Sequence, residues 1–453
     1  MAAPSERMPT APFPLHGRGA VTSLDRGLAN ELSATAAAAA IRAGELSSEA
    51  LVRACLARIE AREREVGAWE YLDAERALAL ARAADRGEGR GPLRGVPVGI
   101  KDIIDTVDMP TTLGSRLYSS RQPQWDAACV AALRAAGAII LGKTVTTEFA
   151  YFQPGKTRNP HRLQHTPGGS SSGSAAAVAD CMVPVALGSQ TAASVIRPAT
   201  FCGVFGYKAS FGELSLSGIR PFAESLDTLG ILARSVADLA LVRDVLMGFP
   251  DAATTLALPA PPALGLCRTA QWNLADTCVQ RAVEESAEKF RRAGARVRDV
   301  ELPAHFAALI DAQKTIMAYE AARNYVYETT RHAERLSDAF RTLADLGGCT
   351  PRDAYVDARH LVRRARTELR AVFAGCDALI VPAAVGEAPL ATAGTGDPVM
   401  SRMWTALHVP SLAVPVTTGP QGLPVGLQLI GAQGADVPLL KAGEWAARAL
   451  APA

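Results

Sequence analysis

The sequence predicts an α/β fold in which a β-sheet core is covered by helices. Helix-like and strand-like patterns alternate along the chain, which is typical of layered α/β proteins. Short apolar runs rich in β-branched residues indicate buried strands. With 453 residues, 49% apolar and 20% charged, the chain is long enough to bury a sizeable core. Because no clean linker or internal repeat divides it, we expect one large domain over residues 25–453, after a flexible leader of residues 1–24.

The first helices are marked by their composition and by their caps. Residues 32–43 are rich in alanine, a strong helix former, and Gly44 is placed to end that helix. Ser47 or Ser48 is suited to cap a second helix, in which apolar residues recur at helical spacing. A third helix is expected over residues 75–84.

A lysine then ends a strand signal. Residues 96–100 form a short apolar run with β-branched residues, and Lys101 follows directly. Lysine is seldom fully buried unless it has a partner. Lys101 therefore either extends to solvent, pairs with Asp102 or Asp105, or serves chemistry that needs a buried amine.

The remaining elements continue the alternation to the C-terminus. Further helices are predicted over residues 127–136, 235–247, 276–293, most of 305–374, and 438–449. Further strands are predicted over residues 138–141, 264–267, 295–300, 379–382, 411–415 and 422–431. Residues 142–148 are expected to form a turn.

Composition and charge argue against several classes of partner. The formal charge is +2 and no basic cluster is interleaved with aromatics, so we expect no nucleic-acid partner. No run approaches about 18 consecutive apolar residues and the N-terminus lacks a signal-peptide pattern, so we expect a cytoplasmic protein with no membrane partner. The scattered cysteines and histidines lack zinc-site spacing, so we expect reduced thiols, no metal and no cofactor.

The strongest functional signal is a run of serines and glycines at residues 166–174. Such runs are often flexible linkers, but this one leads directly into the apolar stretches 175–178 and 183–187. A linker does not lead straight into a core. We therefore interpret residues 166–208 as the active site of a serine hydrolase.

Three catalytic arrangements could use these serines. Ser171 fits a Gly-x-Ser-x-Gly nucleophile elbow in a Ser-His-Asp esterase, although no downstream histidine can be tied to it. A phosphate-binding loop would need Gly-Lys-Ser/Thr, whereas Gly173 is followed by Ser-Ala. The third is a serine activated by a neutral lysine through a second serine. It needs a lysine whose pKa, normally about 10.4, is lowered by burial, and Lys101 fits that demand.

Taken together, the motifs resemble those of the amidase signature family. They are Gly-Ile-Lys-Asp at 99–102, Pro-Gly-Gly-Ser-Ser-Ser-Gly-Ser-Ala-Ala-Ala-Val-Ala at 167–179, Ser194 with Arg197 and Pro198, Phe-Cys-Gly-Val-Phe-Gly-Tyr-Lys at 201–208, and Leu-Pro-Val-Gly-Leu-Gln-Leu-Ile-Gly at 423–431. The similarity runs from about residue 25 to the C-terminus. It implies a single domain with a central mixed, twisted β-sheet covered by α-helices on both faces.

The resemblance also implies a role for each motif residue. Lys101 matches the catalytic lysine, Ser170 the bridging serine that follows a cis peptide bond, and Ser194 the nucleophile. The oxyanion hole would consist of four backbone N–H groups, those of Thr191, Ala192, Ala193 and Ser194. The implied activity is hydrolysis of C–N bonds other than peptide bonds in small-molecule amides, and by the same acyl-transfer chemistry of carbamates (urethanes) or aryl esters.

The loop before the nucleophile departs from the usual family pattern. Gln190 stands where an aspartate is common, Ala192 and Ala193 replace two glycines, and Arg197 falls three rather than two residues after Ser194. Gln190 lacks the charge of a carboxylate but can orient the loop by hydrogen bonds. These departures weaken the case for the A subunit of a glutamyl-tRNA amidotransferase, and they leave open a non-catalytic, ligand-binding member of the same fold.

Other side chains are assigned supporting roles. Ser171 is expected to hold the loop by hydrogen bonds, and Arg197 to act as an ion pair or as a clamp on carbonyl groups. Tyr151, Phe152 and Trp404 either line a substrate pocket or belong to the core. We expect a small-molecule amide or carbamate as substrate, and a monomer or homodimer.

Overall fold

A single sheet of 11 strands organises the computed structural model, which describes residues 26–249 and 254–451. The strands are β1 Trp69–Leu72, β2 Pro97–Lys101, β3 Ile139–Thr144, β4 Val185–Gln190, β5 Phe205–Lys208, β6 Thr228–Ala233, β7 Ala263–Leu266, β8 Arg296–Asp299, β9 Ala378–Pro382, β10 Ser411–Thr418 and β11 Pro424–Ile430. Their order across the sheet is β1-β3-β2-β4-β6-β5-β10-β11-β9-β7-β8. The β3-β2-β4 and β9-β7-β8 groups are parallel and the other pairings antiparallel, so the sheet is mixed, as predicted.

Helices cover both faces of this sheet. They are α1 Ala34–Ala43, α2 Ser48–Val66, α3 Ala74–Asp85, α4 Ala128–Ala135, α5 Ser172–Ala179, α6 Ile196–Cys202, α7 Val236–Leu246, α8 Thr277–Arg292, α9 Leu309–Asn324, α10 Val326–Arg331, α11 Asp338–Cys349, α12 Arg352–Val372, α13 Val399–Ala406 and α14 Asp436–Leu450. Successive strand residues alternate between two apolar cores, with Val185 and Leu187 in the larger one and Ala186 in the other. Helices α2, α3, α5 and α6 contribute to the smaller core, and α4, α7, α8 and α14 to the larger. The predicted fold class is therefore confirmed.

Most predicted elements are present, with a few differences. Gly44 ends α1 in the left-handed conformation at φ 74°, and Ser47 caps α2. The strands β1, β4, β5 and β6 and the helices α5, α6 and α13 were not predicted as such. The turn expected at residues 142–148 was placed too early, because β3 continues to Thr144 through pairing with β1. The predicted leader, residues 1–24, lies outside the described residues, and none of the helices in the described ranges is long and apolar enough to cross a membrane.

The central strands determine where the chemistry can occur. β2 and β4 are parallel neighbours, so their carboxyl ends lie at one edge of the sheet. Lys101 ends β2, and Ser189 and Gln190 end β4. Helix α5 starts beside them and is attached to β4 by the Ser174 hydroxyl, which donates to the Leu187 carbonyl at 2.9 Å. The serine-rich run is thus packed against this edge.

Candidate active site

Lys101 is fully enclosed at the end of β2, with 0% of its surface exposed. Its Nζ lies 2.7 Å from the Oγ of Ser170 and 2.9 Å from the Oγ of Ser189. It forms no ion pair with the described residues. Burial lowers the pKa of Lys101 to about 7, while the charge of Asp227 acts in the opposite direction. Lys101 can therefore be a neutral amine, able to accept a proton, near pH 7.

The two aspartates that follow Lys101 in the sequence form ion pairs with other residues. The Nζ of Lys143, on β3, lies 3.2 Å from the Oδ1 of Asp102 and donates to the Thr111 hydroxyl at 2.6 Å. Asp105 instead pairs with Arg121 at 2.6 Å. Both acidic candidates for pairing with Lys101 thus have other partners.

Ser170 connects Lys101 to a cavity that Ser170 helps to line. The Gly169–Ser170 peptide bond is cis, as the family resemblance implied. Ser170 and Ser194 both line the cavity, and the Ser194 carbonyl accepts a hydrogen bond from the Ser171 N–H at 3.2 Å. The predicted bridging and nucleophilic serines therefore meet at one cavity, 24 residues apart in the chain (194 minus 170).

The loop between β4 and α6 presents four unbonded backbone donors to this cavity. The N–H groups of Thr191, Ala192, Ala193 and Ser194 make no hydrogen bond with any residue in 26–249 or 254–451, and all four residues line the cavity. The carbonyls of Thr191 and Ala192 are held from behind, by Gln313 Nε2 at 3.0 Å and by the Thr405 hydroxyl at 2.7 Å. Because the C=O and N–H of a trans peptide point in opposite directions, these bonds orient the next two N–H groups away from the protein. The loop can therefore stabilise an oxyanion.

Gln190 holds both ends of this loop. Its Oε1 accepts hydrogen bonds from the N–H groups of Val195 at 2.9 Å and Ile196 at 3.1 Å. Its Nε2 donates to the Thr405 hydroxyl at 3.0 Å, and that hydroxyl donates in turn to Ala192. An aspartate could accept the first two bonds but could not donate the third. The glutamine thus has the loop-orienting contacts that the sequence suggested.

A buried carboxyl group supports the same loop. The Thr191 hydroxyl donates to the Oδ1 of Asp227 at 2.5 Å, and the Oδ2 accepts from the N–H groups of Phe222 and Ala223. Burial raises the pKa of Asp227 to about 7. Asp227 therefore places little negative charge beside Lys101 below that pH.

Two other predicted residues support the serine-rich run. Arg197 donates to the Gly169 carbonyl at 2.7 Å and to the Gly396 carbonyl, and it forms no ion pair with the described residues, so its contacts are those of a carbonyl clamp. Ser171 is completely buried, and its hydroxyl exchanges hydrogen bonds of 3.3 Å with the backbone of Ser189.

The predicted aromatic residues separate into two groups. Tyr151 and Phe152 line the cavity. Trp404 does not: it is 1% exposed and belongs to the larger apolar core. Trp404 is therefore corrected to a core residue, because α13 directs its neighbour Thr405, and not the indole, toward the loop. Several other lining residues were not predicted from the sequence, namely Ala150, Phe222, Met317, Thr395 and Pro398.

In the described ranges, no group of three His, Cys, Asp or Glu side chains is arranged to hold a metal ion. The site that the geometry defines consists of a buried lysine, two serines and a loop of free amides. Such an arrangement can support nucleophilic catalysis by a serine with a lysine as base.

Comparisons with known proteins agree with this class. A family model described as Amidase matches residues 50–440. The chain is 36% identical to the A subunit of the glutamyl-tRNA(Gln) amidotransferase of Anaeromyxobacter sp. (strain K), over 92% of this chain and 96% of that protein. Among solved structures, an amidase superposes with a TM-score of 0.86 at 31% identity, covering 92% and 100% of the two chains. The peptide amidase from Stenotrophomonas maltophilia superposes with a TM-score of 0.80 at 32% identity, covering 93% and 97%.

The chain belongs to the amidase signature family. It is accordingly a hydrolase of amide C–N bonds.

Proposed function

We propose that this enzyme hydrolyses the C–N bond of a small-molecule amide through an acyl-enzyme on Ser194, with Ser170 and Lys101 as the proton relay. The observation that carries the proposal is the buried Lys101 amine, free of any carboxylate partner in the described residues and 2.7 Å from Ser170. A serine hydroxyl is a weak nucleophile and needs such a base. The four free N–H groups at residues 191–194 support the same chemistry.

The proposed reaction proceeds in two stages. Neutral Lys101 takes a proton from Ser170 as Ser170 takes one from Ser194, and the Ser194 Oγ attacks the amide carbonyl. The oxyanion is held by the loop amides, the C–N bond breaks, and the relay returns the proton to the leaving amine. Water then attacks the acyl carbon of the ester on Ser194 and gives a proton to the same relay. The bond between the acyl carbon and Ser194 Oγ breaks as the relay returns that proton to Ser194, and the carboxylic acid leaves. Carbamates and aryl esters can enter the same sequence at the first attack.

Ser171 has contacts that favour a structural role over a nucleophilic one. Its hydroxyl is bonded to the Ser189 backbone, it is fully buried, and it does not line the cavity. No hydrogen bond joins it to a histidine within the described residues. The Ser-His-Asp esterase is therefore the less favoured function.

A panel of substrates and variants tests the proposal. Wild type should hydrolyse a p-nitroanilide, and with it a carbamate or a p-nitrophenyl ester, while Ser194→Ala and Lys101→Ala should each lose at least about 1,000-fold in kcat. A fluorophosphonate should label wild type and Ser171→Ala but not Ser194→Ala. Full activity in Ser194→Ala would rule out the mechanism. Silence of the wild type together with absence of labelling would favour a ligand-binding protein.

The proposed enzyme acts without a partner protein. Relatives include the A subunit of an amidotransferase, but Gln190 and the Ala192–Ala193 pair depart from the pattern expected for that protein. We propose a monomer or homodimer. Light scattering on the purified chain, with activity measured on the same fractions, tests this assignment.

A further inference from the structure

A second arginine, Arg402, lies near the cavity without being one of its lining residues, and it has no counter-ion among the described residues. Arg402, on α13, is 6% exposed, and its one hydrogen bond within the described residues runs from Nη1 to the Oε1 of Gln313 at 2.5 Å. No carboxylate of those residues lies within ion-pair distance of it. A buried arginine without a carboxylate is uncommon, because removing the charge from water is costly.

Two nitrogen atoms of Arg402 have no partner among the described residues and are not completely enclosed. Its Nε and Nη2 groups make no hydrogen bond with described residues, and they are not among the unpaired atoms that are completely enclosed. The Nε of Arg197, in contrast, is both unpaired and enclosed. Two donors of Arg402 thus remain open to an incoming group.

The positions of two helices, α13 and α9, place Arg402 near the cavity. Pro398, at the start of α13, lines the cavity, and Arg402 lies one turn further along. Met317 on α9 also lines it, and Gln313 lies one turn before Met317. The hydrogen bond between Arg402 and Gln313 therefore connects the two helices behind one end of the cavity. Gln313 also holds the Thr191 carbonyl, so this end adjoins the oxyanion loop.

The surrounding charges leave this end positive. Arg197 lines the cavity, and the charge of Arg402 adds to burial in lowering the pKa of Arg197. The acidic groups that act on Arg402 from a distance are engaged elsewhere: Asp397 accepts from the Val399 N–H, and Asp311, largely exposed, pairs with Lys314. A negative group in the cavity would therefore lie against Arg197 and near Arg402, while Asp397 is the carboxylate whose charge acts on both arginines.

We propose that Arg402 is a specificity-determining residue that binds a carboxylate of the substrate, so that the preferred substrates are amides that carry a second, anionic group away from the scissile bond. This inference rests on the proposed function. A guanidinium group matches a carboxylate in geometry and charge. Because Arg402 Nη1 donates to Gln313, the side of the guanidinium that carries Nε and Nη2 is the one that can bind the carboxylate.

Pairs of substrates matched in chain length test the inference. Succinamate is compared with butyramide, and glutaramate with valeramide, in wild type, Arg402→Gln, Arg402→Lys and the control Arg323→Gln, which removes an exposed charge from α9. Wild type should prefer the anionic member by about 10- to 100-fold in kcat/KM. Arg402→Gln should abolish that preference, because kcat/KM for the anionic amides falls to the value for the neutral amides, mainly through KM. Arg402→Lys should retain part of it, and Arg323→Gln all of it.

Two outcomes would overturn the inference while leaving the proposed function intact. They are equal kcat/KM for the paired amides in wild type, and a preference that survives Arg402→Gln. If Arg402→Gln does not fold, inhibition of the wild type is measured in place of the variant's kinetics. Succinate and glutarate should inhibit competitively and succinamide should not. Equal inhibition by the dicarboxylates and by succinamide would overturn the inference. If wild type cleaves no amide, the proposed function fails, and calorimetric binding of glutarate to Ser194→Ala but not to Ser194→Ala/Arg402→Gln still decides the role of Arg402.

Discussion

Two neighbouring strands show how the surroundings of a lysine decide its chemistry. Lys101 and Lys143 are both completely buried on adjacent parallel strands. Lys143 has Asp102 at 3.2 Å, whereas the hydrogen-bond partners of the Lys101 amine among the described residues are hydroxyl and carbonyl oxygens of serines. A carboxylate favours the charged form of a lysine and serines alone do not compensate for lost hydration. Burial lowers the pKa of both amines and Asp102 opposes this at Lys143, and of the two it is Lys101 that lies within hydrogen-bond distance of Ser170.

The pH dependence of catalysis should report on Lys101. The protonated amine cannot accept a proton and predominates below its pKa of about 7. We therefore expect kcat/KM to rise with pH up to about 7 and to level off above it. A pH series with both an anilide and an ester substrate measures this, since the value belongs to the free enzyme and should be the same for both. Activity that falls as pH rises through 7 would contradict the proposed base.

At the scale of elements, one glutamine side chain fixes the junction of strand, loop and helix. Gln190 is the last residue of β4 and bonds to the N–H groups that begin α6. Through Thr405 of α13 it also holds the Ala192 carbonyl. The four free amides therefore have their positions set by contacts with two other elements, which stabilises a loop that lacks the usual pair of glycines.

Removing the Gln190 side chain should affect both stability and rate. Gln190→Ala leaves two buried N–H groups and Thr405 without their partner, which should cost about 1–3 kcal/mol in the free energy of unfolding. The loosened amides should lower kcat by about 10- to 100-fold. Urea unfolding and steady-state kinetics measure the two effects.

A second buried glutamine supplies the control. Gln428 on β11 donates to the Pro382 and Met400 carbonyls and does not line the cavity. Gln428→Ala should show a similar loss of stability with kcat within about twofold of wild type. Equal losses of kcat in the two variants would mean that Gln190 acts only through stability.

At the scale of the whole molecule, the sheet assembles the site from distant segments. Parallel pairing of β2 with β4 brings Lys101 to Ser189, 88 residues away, and α13 and α9 contribute Thr405 and Gln313 from the second half of the chain. The Lys101 amine lies where apolar elements cover it, and removing this amine from water lowers the free energy of unfolding.

The burial of Lys101 should make the free energy of unfolding depend on pH. The pKa of Lys101 is lowered from 10.5 to about 7 in the folded state, so between these values the unfolded chain binds more protons and folding gains stability as pH rises. Lys101→Met removes the effect. The free energy of unfolding of wild type relative to this variant should increase by about 1.4 kcal/mol per pH unit between about pH 7 and 10.

Urea unfolding of both proteins at several pH values measures that difference. Raising the salt concentration should leave the slope nearly unchanged, because burial and not surface charge causes it. A difference that is constant over this range would mean that Lys101 stays protonated when folded.

Much of the fold could be predicted from local patterns. Caps such as Ser47 and Gly44 and apolar runs such as 379–382 marked elements that the structure contains. The strands β1, β4, β5 and β6 were missed because a glycine or a charged residue interrupts the apolar run in each of them, and pairing within the sheet determines where they begin and end. The predicted boundary at residue 25 and the oligomeric state stay predictions.

The family, the reaction class and the candidate residues Lys101, Ser170 and Ser194 follow from the sequence alone, because the motifs that carry them are contiguous in the chain. Three-dimensional packing was needed to show that Trp404 belongs to the core. It was also needed to show that, among the described residues, Lys101 has no carboxylate partner, the loop amides have no hydrogen-bond acceptor and Arg402 has no counter-ion. The physical reason is that desolvation and pairing depend on which groups surround a side chain. At this site those groups come from segments 69 to 215 residues apart in the chain.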